Sequence, residues 1–280
     1  MTVWVEGRVI QRGDVPLEAA AVDRGALLGD GLFETLLVQA DRVLDQAAHL
    51  DRLEASARAL GFPDFARRRG EVAAAIDALL AEEPSAPRRV LRVTFTAGAG
   101  RGLLRPSGGR GRLVVSIGAC PPPPSSVSAV LLDTPRVDPL CPTSGHKTTS
   151  ALRWVLARDE ARRRGAAVAL VRCVDGDVVE GDAANLFLFD GEMLVTPPLD
   201  RGVLPGIQRA RLLRAARVQG VDVEERPIAA RELRSAGGLF LTSSLIGVVP
   251  VVELDGVPVA HHEPTTTRVR DLLTMDASDD

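Results

Sequence analysis

The stretch "CPTSGHKTTSALRW", residues 141–154, holds Lys147, the only lysine in a chain of 280 residues that otherwise draws its positive charge from arginine. Runs such as Arg67-Arg68-Arg69 and Arg162-Arg163-Arg164 serve wherever a solvated cation is wanted. Codon bias explains the missing lysines but not the one retained. An ammonium can shed its proton and attack a carbonyl, whereas a guanidinium stays charged in a protein. Lys147 also sits between turn formers, Pro142 and Gly145, and a run from Thr149 to Arg164 that is compatible with helix. A nucleophilic amine at the entrance to a helix is the feature from which the rest of the chain is read.

The composition bounds the answer. At 45% hydrophobic the chain can bury a sizeable core in one large domain or two smaller ones. A formal charge of −3, with 34 basic residues interspersed among 37 acidic ones, offers no continuous positive footprint, so no nucleic-acid partner is expected. The start, "MTVWVEGRVIQRGDVP", lacks a basic leader followed by an apolar run. No stretch reaches the roughly 18 apolar residues of a spanning helix, so no membrane partner is expected and the cytoplasm is the expected location. Cys120, Cys141 and Cys173 are odd in number and widely spaced, which indicates neither a disulfide framework nor a metal site.

Periodicity divides the chain into two α/β parts. "TVWVEGRVI" and "LFETLLVQADRVL" alternate around turns and read as hairpins. In "AHLDRLEASARALGF", Leu50, Leu53, Ala57 and Leu60 form one apolar stripe ending at Gly61, which predicts a capped amphipathic helix. A second helix over "RRRGEVAAAIDALLAE" precedes strands "RRVLRVTFTAG" and "GRLVVSIG". The proline run at residues 121–126 favours a stiff connector, giving a small N-terminal α/β domain over 1–120 and a larger domain over 127–280. The second part reads as strands "VSAVLLD", "AVALVRC" and "NLFLFDG", a helix "GIQRARLLRAARVQG" and a return to strand in "GLFLTSSLIGVVPVVELDG". "MDASDD" closes it as a polar tail that is expected to fray.

Three further stretches join Lys147 as carriers of chemistry. Glu180 lies between two strands in "VVEGDAANLFLF". "LPGIQR", residues 204–209, puts Gly206 at a helix start, where unsatisfied N–H groups hold anions. "LTSS", residues 241–244, ends a strand with three hydroxyls. Each alone is most often an ordinary turn or cap. An amine, a carboxylate, a helix N-terminus and a hydroxyl cluster together are what pyridoxal phosphate needs.

These stretches, with "DRGALLGDGLFET" (23–35), "HLDRLEASA" (49–57) and "HKT" (146–148), resemble in order the fold-type IV pyridoxal-phosphate enzymes, the class IV aminotransferase family. The resemblance implies a two-domain α/β (α+β) fold with a pseudo-barrel C-terminal domain, a pyridoxal 5'-phosphate cofactor and a homodimer. It implies that Lys147 bonds the cofactor and moves the substrate proton, and that Glu180 keeps the ring nitrogen protonated. Arg52, Ile207, Gln208, Ser243 and Ser244 would bind the phosphate and its surroundings, and Leu204 would pack on the ring. His146 adjoins the lysine, but a neighbour in sequence can point elsewhere.

The chain departs from the family pattern in having no tyrosine, in carrying Phe33 at an aromatic position without a hydroxyl, and in placing Ser150 where many members have asparagine. Phe33, Thr35 and Arg101 are the residues expected at the substrate, an amine bearing carboxylates. Thr35 and the "GAGRGLL" loop (98–104) resemble those of 4-amino-4-deoxychorismate lyases, which act in folate biosynthesis and release pyruvate and p-aminobenzoate. That lyase is the favoured expectation, with a branched-chain or D-amino-acid aminotransferase as the alternative. A non-enzymatic protein that kept the fold is disfavoured because Lys147 and Glu180 are both present.

Overall fold

The computed structural model describes residues 1–10, 21–190, 193–261 and 263–275, so the expected tail lies almost wholly outside the described residues. Contacts divide the chain between Pro122 and Pro123. The first unit takes Met1–Pro122 together with His146–Ala151, and the second takes Pro123–Gly145 and Leu152–Asp280. By contacts, the short segment that holds Lys147 groups with the first unit.

The first unit is built on an antiparallel six-stranded sheet. Its strands are β1 (Thr2–Val5), β2 (Arg8–Ile10), β3 (Gly31–Gln39), β4 (Arg42–Val43), β5 (Arg88–Thr96) and β6 (Arg112–Ala119), in the order β2-β1-β6-β5-β3-β4. A short helix α1 (Arg24–Leu28) leads into β3. Helices α2 (Gln46–Ala59) and α3 (Arg69–Glu82) cover one face. The apolar stripe foreseen in α2 buries Leu50, Leu53 and Ala57 against Leu32 and Leu36 of β3, in a core that also takes Ile76 and Leu79 of α3. Period-two alternation in β3 sends Leu32, Glu34 and Leu36 to that core and Phe33 and Thr35 to the other face.

In the second unit six strands close on themselves. They are β7 (Val127–Val137), β8 (Val168–Cys173), β9 (Val178–Gly181), β10 (Ala184–Asp190), β13 (Gly238–Ser243) and β14 (Gly247–Leu254). Pairing runs β10-β13-β14-β7-β8-β9 and returns through β9 to β10, which leaves no free edge in the ring. Strands β11 (Met193–Thr196) and β12 (Asp222–Glu225) extend it beside β10, and β15 (Val257–Pro258) pairs with β14. Leu170, Val178, Leu186, Leu241 and Val251 fill the interior. Outside the ring, α4 (Leu152–Arg163) packs through Ala157 and Ala161, and α5 (Ile207–Val218) packs with α7 (Glu263–Met275) over Phe187 and Phe240. The remaining helix is the one-turn α6 (Glu232–Ser235).

One local expectation changes. Helix α4 begins at Leu152 instead of Thr149, because Thr148 forms an antiparallel bridge with Leu32 of β3 and Thr149 N–H is taken by the Gly31 carbonyl. The return to strand in "GLFLTSSLIGVVPVVELDG" is a hairpin, β13 and β14 turning through Ser244–Ile246, so a strand ends within "LTSS". Because the closed interior leaves little room to relax, Leu170→Ala should cost about 2–5 kcal/mol of unfolding free energy. Val218→Ala, at a side chain 76% exposed, should stay within about 0.5 kcal/mol in the same urea titration.

Candidate active site

In the first unit the Lys147 segment lies along the edge of β3. Phe33 N–H donates to the Lys147 carbonyl at 2.9 Å, and Thr149 N–H donates to the Gly31 carbonyl at 2.8 Å. His146 Nδ1 meets Ser56 Oγ of α2 at 3.0 Å, and burial holds the imidazole below its ordinary value, so the ring packs toward the helix. The Lys147 Nζ stands 4.5 Å from the centre of the Phe33 ring.

Strand register builds a face around that ring. Phe33 is opposite Thr94 and Thr35 is opposite Arg92, so these four side chains share one side of the sheet. The Arg92 guanidinium lies on Phe33, 3.6 Å from the ring centre, and its Nε donates to Thr94 Oγ1 at 3.3 Å. Burial lowers its pKa, and among the described residues no carboxylate pairs with it. The sequence reading missed Arg92, since only the pairing of β3 with β5 brings it beside Thr35. Arg101, expected at the substrate, is exposed.

Arg52 is held at its base by a buried acid. Its Nε and Nη2 reach the two oxygens of Glu34 at 2.8 and 2.6 Å, and His49 Nδ1 meets the same carboxylate at 2.7 Å. Burial pushes the Glu34 carboxyl up, but the hydrogen bonds from His49 and Arg52 outweigh it and hold the group below 4.5. Glu34 thus aims the expected phosphate arginine, a role signalled in sequence only by a charged residue at a core position of an alternating strand.

The second unit gathers the other expected residues. Glu180 pairs with Asn185 across β9 and β10, and Asn185 pairs with Thr242 across β10 and β13, which sets the three side by side on the outer face of the ring. Glu180 is 6% exposed, and its Oε2 accepts from Leu204 N–H at 3.3 Å. Asn185 Nδ2 donates to the Leu204 carbonyl at 2.9 Å, fixing the turn into α5. A Cβ at Gly206 would fall 1.9 Å from Asn185 Oδ1, so only glycine fits at the N-cap of α5, followed by Ile207 and the buried Gln208. Ser243 and Ser244 are half-buried at the end of β13.

These residues fit pyridoxal phosphate. Thr242, 1% exposed, carries a buried Oγ1 that has no hydrogen-bond partner among the described residues, on the face that α5 packs against, where a phosphate oxygen would satisfy it. The α5 N-terminus supplies backbone donors for the same dianion. Glu180 is the acid available to a ring nitrogen.

A family model described as amino-transferase class IV matches residues 31–254. The chain belongs to that family, and it is a fold-type IV pyridoxal-phosphate enzyme. It is 31% identical over 264 residues to a putative branched-chain-amino-acid aminotransferase of Methanocaldococcus jannaschii, covering 91% of this chain and 88% of the relative. A bifunctional aminodeoxychorismate lyase / D-amino acid transaminase of Mycobacterium tuberculosis is 30% identical over 283 residues, covering 91% and 92%. Among solved structures, a hypothetical aminotransferase from Mycobacterium tuberculosis in a PLP-bound form superposes with a TM-score of 0.86 at 28% identity over the whole of both chains. The same description covers a form holding alpha-ketoglutarate and PMP, at a TM-score of 0.85. Among the described residues no cluster that would hold a metal is present, and no helix is long and apolar enough to cross a membrane.

The lowered Glu34 pKa has a pH consequence. Its stabilising charge is fully present above 4.5 and is lost as pH falls through the depressed folded value. Glu34→Gln should therefore melt below wild type at neutral pH, with the gap narrowing in acid below that value.

Proposed function

We propose that the chain is an aminotransferase that moves an amino group between a branched-chain or D-amino acid and a dicarboxylic 2-oxo acid. The observation that carries this reading is Arg92, a desolvated guanidinium with no carboxylate partner among the described residues, lying on Phe33 opposite Thr35. A substrate carboxylate would complete it. The favoured lyase expectation relied on Arg101, which is exposed, and on Thr35, whose cross-strand neighbour is Arg92. The relatives described as aminotransferases, one of them holding alpha-ketoglutarate, support the same choice.

In this reading Lys147 Nζ would hold the cofactor covalently and, once the substrate amine has displaced it, would take the proton from the substrate carbon that bears the amine. Glu180 would keep a proton on the ring nitrogen, with its carboxylate oriented by Leu204 N–H. Arg52, Ile207, Gln208, Ser243, Ser244 and Thr242 would hold the phosphate, and Leu204 would pack on the ring. Bound pyridoxal phosphate supplies the electron sink that makes the carbon acidic.

A second reading, 4-amino-4-deoxychorismate lyase, is favoured by Thr35 and by the bifunctional relative. Purified protein should show a visible absorption band, and borohydride should leave a cofactor mass on peptide 142–154. Supplied with branched-chain or D-amino acids and 2-oxoglutarate it should transaminate, and Lys147→Ala should abolish turnover. Arg92→Ala should raise KM for 2-oxoglutarate at least tenfold, about 1.4 kcal/mol. Repeated release of p-aminobenzoate from aminodeoxychorismate without any oxo acid, and no transamination, would select the lyase instead.

The active form in this proposal is a homodimer to which the Gly100–Leu104 loop contributes. Buried Arg24 clamps the loop, donating to the carbonyls of Gly102, Leu103 and Leu104, and the loop presents Leu103 and Leu104 each 88% exposed. Sedimentation of active protein should give a dimer, and Leu103→Asp/Leu104→Asp should shift it toward monomer.

A further inference from the structure

The strand edge that receives Lys147 carries glycine at two alternate positions. Gly29 has φ +67°, so the backbone itself calls for glycine there. Gly31 is different, because its φ lies outside the left-handed region and the backbone would accept any residue. Space is what excludes one. A Cβ at Gly31 would lie 2.8 Å from Thr149 Oγ1 and 3.1 Å from Thr149 Cγ2, with Thr96 Cγ2 at 3.3 Å. Both branches of Thr149 face the glycine, so a side chain there requires Thr149 to leave its rotamer or shift with its backbone.

Among the described residues the buried Thr149 Oγ1 has no hydrogen-bond partner, so packing sets its own place against Gly31. Directly beside it run the two backbone bonds that fix the lysine, Thr149 N–H to Gly31 O and Phe33 N–H to Lys147 O.

The geometry points to Gly31 as a positioning residue for Lys147: its missing side chain lets residues 147–149 close onto β3 in the register that hangs the amine beside Phe33. Gly31 touches no reacting atom and acts through Thr149 and the shared backbone bonds. The inference rests on Lys147 being the lysine that bonds the cofactor. A displacement on the order of 1 Å is enough to cost about 10²-fold in rate when a reacting group is moved.

Because Lys147 is the only lysine, acylation of the full-length chain reports on it directly, with the N-terminal amine as internal standard after peptide mapping. The design is a double-mutant cycle of wild type, Gly31→Ala, Thr149→Ala and the double variant. In the Thr149 background, Gly31→Ala should change Lys147 acylation by at least threefold, shift the pH midpoint of the holoenzyme's visible band, and lower kcat up to about 10²-fold with KM within about threefold. In the Thr149→Ala background the same change at position 31 should alter each quantity less than about twofold. Equal effects in both backgrounds, or wild-type acylation in Gly31→Ala, would overturn the proposal. Should Gly31→Ala fail to fold, Thr149→Leu crowds the same point from the other side, and unchanged acylation there would overturn it equally. Failure of the underlying reading is separate, since it shows as wild-type protein with no borohydride-trapped cofactor on peptide 142–154.

Discussion

Two backbone hydrogen bonds, from Phe33 N–H to Lys147 O and from Thr149 N–H to Gly31 O, hold the only lysine of this chain in place. A lysine side chain has four rotatable bonds and loses up to about 2 kcal/mol of rotamer entropy when ordered, so the backbone beneath it must already be fixed. Here an irregular connection between β7 and α4 is given a strand partner for a few residues. The pairing satisfies donors and acceptors that a loop would otherwise leave to water. It also delays the start of α4 to Leu152, although the residues from Thr149 onward suit a helix.

Arginine does the structural work elsewhere, and its geometry explains why lysine is dispensable there. Arg24 donates to Asp30 and three carbonyls, Arg52 grips both oxygens of Glu34, and Arg209 joins Glu225 to the Pro197 carbonyl. Each uses several donors of one planar group, which an ammonium cannot match. Arg92 departs from this pattern, since its recorded contacts are a ring and a hydroxyl. The same ring stands beside Lys147, so Phe33 is the common floor under the amine and the guanidinium.

Local pattern made much of this legible. The Leu50, Leu53 and Ala57 stripe, the glycines bounding α5 and the alternation of β3 each follow from one side of an element meeting a core. The helix start at Gly206 and the strand end at Ser243 were legible for the same reason. What escaped was set by register between strands distant in sequence. Thr35 meets Arg92 only when β3 pairs with β5, and Glu180, Asn185 and Thr242 form a row only when the ring closes. The pairing of the Lys147 segment with β3 also escaped, because neighbours in sequence dominate a local reading, whereas Thr148 and Leu32 lie over a hundred residues apart.

The motifs that hold the cofactor cannot by themselves choose the reaction, because a lyase and an aminotransferase both begin by removing a proton from the carbon bearing the amine. The choice has to lie in what binds next to Lys147. A guanidinium already stripped of much of its water has met part of the desolvation cost before any substrate arrives, so a carboxylate gains a charge-assisted bond at a reduced penalty. That advantage recurs in both halves of a transamination whenever the departing and arriving acids each present a carboxylate to the same place. A lyase needs it once per turnover, with one substrate whose two carboxylates have a fixed separation. Under the proposed transamination, a single preformed guanidinium on Phe33, with Thr35 at its side, would serve different acids in succession.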